Sequence, residues 1–229
     1  IKFRPETEII RKMTKEFAEK EIAPIADRID RENTYPMDLF QKMAKQGLLG
    51  VCTEPEYGGS GLDLLSTAVA AEEIAKVSMS ASVLVAIQTA VTSVPISKFG
   101  SKEQKGSYLR DLATGKRIGA FCLTEPVAGS DAASIETRAV KQGDDYVLNG
   151  TKTFISQGEV ADLALVFAKT PAPGKDGDEV TAFLVDKRVS PFRVGSKIDV
   201  MGCRGTGTAE LIFENCRVPK ENVLGDEGQ

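Results

Sequence analysis

An α+β multidomain chain is predicted, with an all-α domain over residues 1–117 and an all-β, barrel-like domain over residues 118–229. Three observations carry this. Apolar residues recur at helical spacing up to about residue 117. From about residue 118 the period falls to two, in short β-rich runs split by Gly, Asp, Asn and Pro. No internal repeat links the two halves.

The first half opens with "ETEIIRKMTKEFAEKEIAPIADRID", where Ile9, Met13, Phe17, Ile22 and Ile25 share one helix face. Pro24 marks a kink or break, because it has no N–H and its ring crowds the preceding turn. "YPMDLFQKMAKQGLLG" places Pro36 at a helix start and Gly47 at its end, with Leu39, Phe40 and Met43 as the apolar face. "EPEYGGSGLD" is a turn. Residues 64–78 and 81–100 read as helices with little charge, which marks elements that are buried or line a cavity. Leu84, Ile87, Val91 and Val94 are candidates for such a lining, and helix-packing core is the competing role. Ser101 is an N-cap for the amphipathic run that follows.

The second half yields seven strand segments: "RIGAFCLT", "IETRAV", "DYVLNGTKTFIS", "LALVFAK", "VTAFLVD", "FRVGSKI" and "AELIFENCRVP". That density suggests a sandwich or small barrel. Residues 169–180 read as an exposed loop.

Composition narrows the chemistry. Of 229 residues 41% are hydrophobic, enough for a packed core, and the net charge of −4 argues against a general nucleic-acid binder. There is no histidine, and the four cysteines (Cys52, Cys122, Cys203, Cys216) show no CxxC spacing. A zinc site and any His-based triad are thereby disfavoured, so no metal is expected. Cysteines scattered in apolar runs suit reduced core residues in a reducing compartment. No signal peptide and no 18-residue apolar stretch is read, which suggests a soluble chain.

The stretch "CLTEPVAGSDAAS" (122–134) raises the functional question. Thr124 at a strand end can aim a hydroxyl and nearby amides into a cleft. Ser130 or Asp131 can cap the short turn after it, and free amides at such a corner favour an anionic or carbonyl-rich ligand. An ordinary strand–turn–helix connection explains the same residues. "KTFIS" likewise reads as a plain strand with Phe154 and Ile155 in the core.

"CLTEPVAGSDAAS" also resembles the signature of the acyl-CoA dehydrogenase family at every fixed position of that pattern. "PEYGGSGLD", "FGSKEQKGSYLRDLATGKRIGAFCLTEP", "LNGTKTFIS" and "GCRGTGTAELIFENCRVPKENVLG" resemble further family segments, so the likeness covers essentially the whole chain. It implies a helical domain, a middle β-barrel and a C-terminal four-helix domain, with FAD between the last two. Phe121, Cys122, Leu123, Thr124, Gly129 and Ser130 would lie along the flavin, with Thr124 hydrogen-bonding the isoalloxazine. Ser130 would touch both cofactor and the CoA part of the substrate. Phe154, Ile155 and Ser156 would close over the ring, the Ser156 hydroxyl near flavin N5. Flavin carbonyls and ring nitrogens need such partners when buried.

The implied reaction removes a proton from the acyl α-carbon and a hydride from the β-carbon, with electrons leaving to an electron-transfer flavoprotein. A homotetramer is the implied assembly, and the implied location is the cytoplasm in a prokaryote or the mitochondrial matrix in a eukaryote. The implied base is a glutamate expected beyond Gln229, in a C-terminal bundle that would begin where the sequence reads "GDEGQ". No catalytic base is therefore assigned within the chain, and Glu125 and Asp131 are read as turn residues. On this reading residues 1–229 alone should be inactive. Phe154 stands where the family usually has Trp; it can shield a flavin but offers no N–H. Two other readings stay open: an acyl-CoA oxidase or flavin monooxygenase of the same superfamily, and a non-catalytic binding or assembly protein keeping the fold.

Overall fold

A computed structural model describes residues 3–171 and 177–228. Helix α1 (Pro5–Phe17) begins with proline at its first position and carries Glu6 and Glu8 in its first turn, where the positive helix end favours them. Its helical course continues through a π-helical turn (Ala18–Ile22) and a 3-10 turn (Ala23–Ile25) into α2 (Ala26–Glu32). The irregular turns surround Pro24, which cannot donate the usual helical bond. Asn33 ends α2 in the left-handed conformation at φ 50°. Ile9 does not join the core face expected of it and is 66% exposed.

Helix α3 (Met37–Lys45) starts one residue after Pro36 and stops before Gly47, whose φ of 78° suits glycine. Asp63 caps α4 (Leu64–Ala75), accepting from the Ser66 amide at 2.9 Å. Next come α5 (Met79–Ala86), a second π-helical turn (Ile87–Ser93) just ahead of Pro95, and α6 (Val94–Phe99). Together these form an apolar helix, Met79–Phe99, that is long enough to cross a membrane by length and composition, a property missed in the sequence. Here it is a core helix, with Leu84, Val85 and Ile96 fully buried. Ser101 and Gln104 form a reciprocal capping box at the start of α7 (Lys102–Ala113).

All seven expected strands are present: β1 (Gly119–Cys122), β2 (Arg138–Gln142), β3 (Asp145–Ile155), β4 (Leu163–Pro171), β5 (Asp178–Asp186), β6 (Arg193–Lys197) and β7 (Ala209–Pro219). A two-residue β8 (Val223–Leu224) adds an eighth. They form one sheet rather than a two-sheet sandwich, in the order β6-β7-β3-β2-β4-β5-β8, with β1 parallel to β4. The strand ends Pro171 and Asp178 take in part of the loop read at 169–180; its middle, 172–176, lies outside the described residues.

β4 shows how the halves join. Leu163 and Leu165 face Ile96, Leu109 and Leu112 of α6 and α7. Ala164 and Val166 face the opposite core with Ile155, Phe183 and Phe213. A strand covered on both faces needs a nearly continuous apolar run, which "LALVFA" supplies. Burial of each such leucine stabilises the fold by about 1.5–3 kcal/mol.

Candidate cofactor-binding site

β1 runs against the second π-helical turn so closely that a Cβ on Gly119 would lie 2.4 Å from the Thr92 side chain. Only glycine fits there. Beyond Cys122 the chain leaves the sheet. Leu123 and Thr124 are half-buried, Glu125 is buried, and Gly129 and Ser130 are exposed.

Glu125 and Ala128 exchange backbone hydrogen bonds of 2.9 and 3.2 Å, closing a tight turn over Pro126 and Val127. The Glu125 carboxylate accepts from the backbone amides of Glu136 and Thr137 and from the Lys152 ammonium at 2.6 Å. Burial pushes this carboxyl up, but Lys152 and the amides outweigh it and hold it below the usual glutamate value. Burial likewise lowers Lys152, with Glu125 opposing. All of this supports a turn-fixing role for Glu125. Asp131 stands at the head of the Ala132–Ser134 turn and accepts from the Ser134 hydroxyl, without capping a backbone amide.

The second segment follows from β3. A bulge between Lys152 and Ile155 breaks the pairing with β7 and leaves Phe154 at φ 55°. That is left-handed backbone on a bulky residue, a feature that concentrates at functional sites. Phe154 is consequently 61% exposed rather than a core residue, while Ile155 beside it is buried. Gln157, also left-handed at φ 63°, anchors the following turn. Its side chain donates to the Gly119 carbonyl at 2.6 Å and accepts from the Tyr35 hydroxyl at 3.0 Å, and its amide donates to the Thr206 carbonyl at 2.7 Å.

The two segments meet directly. The Thr153 amide donates to the Thr124 carbonyl at 2.9 Å, and Lys152 donates to the Leu123 carbonyl at 3.0 Å. Phe121, Leu123, Thr124, Phe154 and Ser156 therefore bring part-exposed side chains to one region. Among the described residues the hydroxyls of Thr124, Ser156 and Ser130 have no hydrogen-bond partner in the chain. The side chains of Cys122 and Ile155 face the core, so any ligand contact there falls to backbone; burial pushes the Cys122 thiol up to about 12. Lys152, Gln157 and Tyr35 were missed in the sequence. A lysine within an alternating strand, in "TKTFI", was the available signal. Leu84 belongs to the helical core, whereas Ile87, Val91 and Val94 are half-buried.

An aromatic held exposed on strained backbone, beside unpartnered hydroxyls, fits a flat, polar-edged ligand such as a flavin ring. A cleft of about 430 Å³ lies elsewhere, lined by Met13, Phe17, Lys20, Lys42 and Lys45.

The acyl-CoA dehydrogenase N-terminal domain model matches residues 4–116, and the acyl-CoA dehydrogenase middle domain model matches residues 120–216. The chain belongs to the acyl-CoA dehydrogenase family. Among its relatives, an acyl-CoA dehydrogenase of Bacillus subtilis is 44% identical over 220 residues, covering 96% of this chain and 58% of the relative. Butyryl-CoA dehydrogenase from Megasphaera elsdenii superposes with a TM-score of 0.93 at 36% identity, covering 100% of this chain and 60% of that one. A glutaryl-CoA dehydrogenase from Mycobacterium smegmatis, solved in complex with FADH2, gives 0.90 at 31% identity, covering 99% of this chain and 57% of that one. This acyl-CoA dehydrogenase chain thus spans under two thirds of the length of the proteins it resembles. Its helical region followed by an eight-strand sheet matches the family's N-terminal and middle domains.

Proposed function

We propose that this chain forms the flavin-side half of an acyl-CoA dehydrogenase site, taking FAD as cofactor and a saturated acyl-CoA thioester as substrate. The observation that supports it most is Phe154, exposed on left-handed backbone one residue from the Thr153–Thr124 hydrogen bond. FAD, when bound, supplies the acceptor for the hydride that leaves the acyl β-carbon. Thr124 and Ser156 offer hydroxyls to the polar edge of the ring, and Phe154 excludes water from it. Cys122 and Ile155 contribute backbone, and Phe121, Leu123 and Gly129 complete the wall. Ser130, exposed at the corner, serves the CoA portion and the cofactor.

The α-proton needs a positioned base. Glu125 is committed to Lys152 and two amides, and Asp131 to the turn, so neither is free for that role. The base is assigned to residues outside 1–229, with the helical domain as 1–117 and the β-domain as 118–229. Electron-transfer flavoprotein as electron acceptor, a homotetrameric assembly and a reducing compartment complete the proposal.

Two proteins test it under anaerobic conditions with a saturated acyl-CoA. The FAD-loaded chain alone should keep its oxidised absorbance. The chain fused to the C-terminal segment of the Bacillus subtilis relative should lose it. A fusion that binds FAD yet never bleaches would contradict the assignment.

A further inference from the structure

We propose that the buried Lys152–Glu125 pair is a positioning device for the flavin wall, an inference that rests on the function proposed above. Lys152 is fully buried and Glu125 nearly so. Burying two charges is costly, and a well-packed neutral pair of similar volume commonly serves stability as well or better. Stability alone therefore does not account for a lysine at this point of β3.

The contacts of the pair are specific in where they go. Lys152 donates to the Leu123 carbonyl at 3.0 Å and to Glu125 at 2.6 Å, on either side of Thr124. Glu125 in turn accepts from the amides of Glu136 and Thr137, fixing the far end of the same corner. Two residues past Lys152 comes Phe154, and the intervening Thr153 amide donates to the Thr124 carbonyl. One ammonium thus sets the distance between the Thr124 hydroxyl and the Phe154 ring. A merely structural pair looks different: Arg117–Asp186, at 2.8 Å, links the end of the helical half to β5 and touches neither segment. The strain at Phe154 needs such support, because a left-handed bulky residue persists only where its surroundings over-determine it.

The test compares the wild-type chain with Lys152→Met/Glu125→Gln, which leaves no buried charge unpaired, and with Arg11→Gln/Glu73→Gln, a pair between α1 and α4. Each is titrated with FAD, and amide hydrogen exchange is followed at Thr153 and at Val166 deep in β4. At a similar melting temperature, the Lys152/Glu125 variant should bind FAD at least about tenfold more weakly, and the Arg11/Glu73 variant should bind it like wild type. Without any ligand, Thr153 exchange should rise about tenfold in the first variant while Val166 stays as it was. Unchanged Thr153 exchange, or an equal rise at both amides, would overturn the proposal, as would wild-type FAD affinity in the Lys152/Glu125 variant. Failure of the wild-type chain to take up FAD would instead count against the flavin reading for residues 1–229, and exchange alone would then decide the positioning role.

Discussion

The Thr153 amide donates to the Thr124 carbonyl at 2.9 Å, so two segments 29 residues apart in sequence share one edge. That bond uses the Thr124 backbone carbonyl and leaves its side-chain hydroxyl without a partner among the described residues. Replacing Thr124 by Val keeps the shape and removes the hydroxyl. The expected loss is about 1–3 kcal/mol of FAD binding, tenfold or more in affinity, in a protein carrying the full family length. Equal affinities by titration would remove Thr124 from the flavin wall.

Ser130 is exposed, and its hydroxyl has no hydrogen-bond partner among the described residues. Ser130→Ala should change stability by no more than about 0.5 kcal/mol while weakening binding of a CoA thioester. Calorimetric titration of the two proteins with the same thioester decides it, and indistinguishable curves would exclude Ser130 from the substrate site.

Phe154 stores backbone strain at φ 55°. Phe154→Gly removes the left-handed penalty of about 1–2 kcal/mol, offset by about 0.5–1 kcal/mol of added chain entropy, so stability should hold or rise slightly. Phe154→Val, β-branched at the same φ, should be clearly less stable than the glycine variant. Both should bind FAD more weakly than wild type. Denaturant melts of the three proteins test the order, and a glycine variant less stable than the valine one would refute the strain.

Stability should be flat between about pH 5 and 8, because the chain has no histidine. Below that window the sign follows from Asp63, Glu73 and Glu125, all held below the usual carboxylate value. The unfolded carboxylates take up protons first, so stability falls as pH drops below about 4.5. Above it, burial raises the thiols of Cys122 and Cys216 to about 12 and about 11, so the unfolded thiols ionise first and stability falls above about pH 8.5. A step in stability centred between pH 6 and 7 in a melting series would contradict this.

Much of this was legible in the sequence because the signals were local. The change of hydrophobic period near residue 118 marks where helices give way to strands, Gly47 and Pro24 act through their own backbone, and Ser101 through a hydroxyl that caps the amide three residues on. Ile9 failed because periodicity names a face without saying how wide the covered stripe is. Phe154 is a strand residue but failed as a core residue, because the bulge that turns it outward depends on pairing with β7 more than 50 residues later. Lys152 and Glu125 were legible as residue types, but a buried partner 27 positions away is a property of the folded sheet. Gln157 and Tyr35, 122 positions apart, were invisible for the same reason.

The central claim, that residues 121–130 and 154–156 form one wall for a flavin, is tested most directly by amide hydrogen exchange with and without saturating FAD. Protection should rise at Phe121–Thr124, at Gly129–Ser130 and at Phe154–Gln157, and stay unchanged in the cleft between α1 and α3 lined by Phe17, Lys20 and Lys42. Protection confined to that cleft, with none at Thr124 or Phe154, would contradict the account.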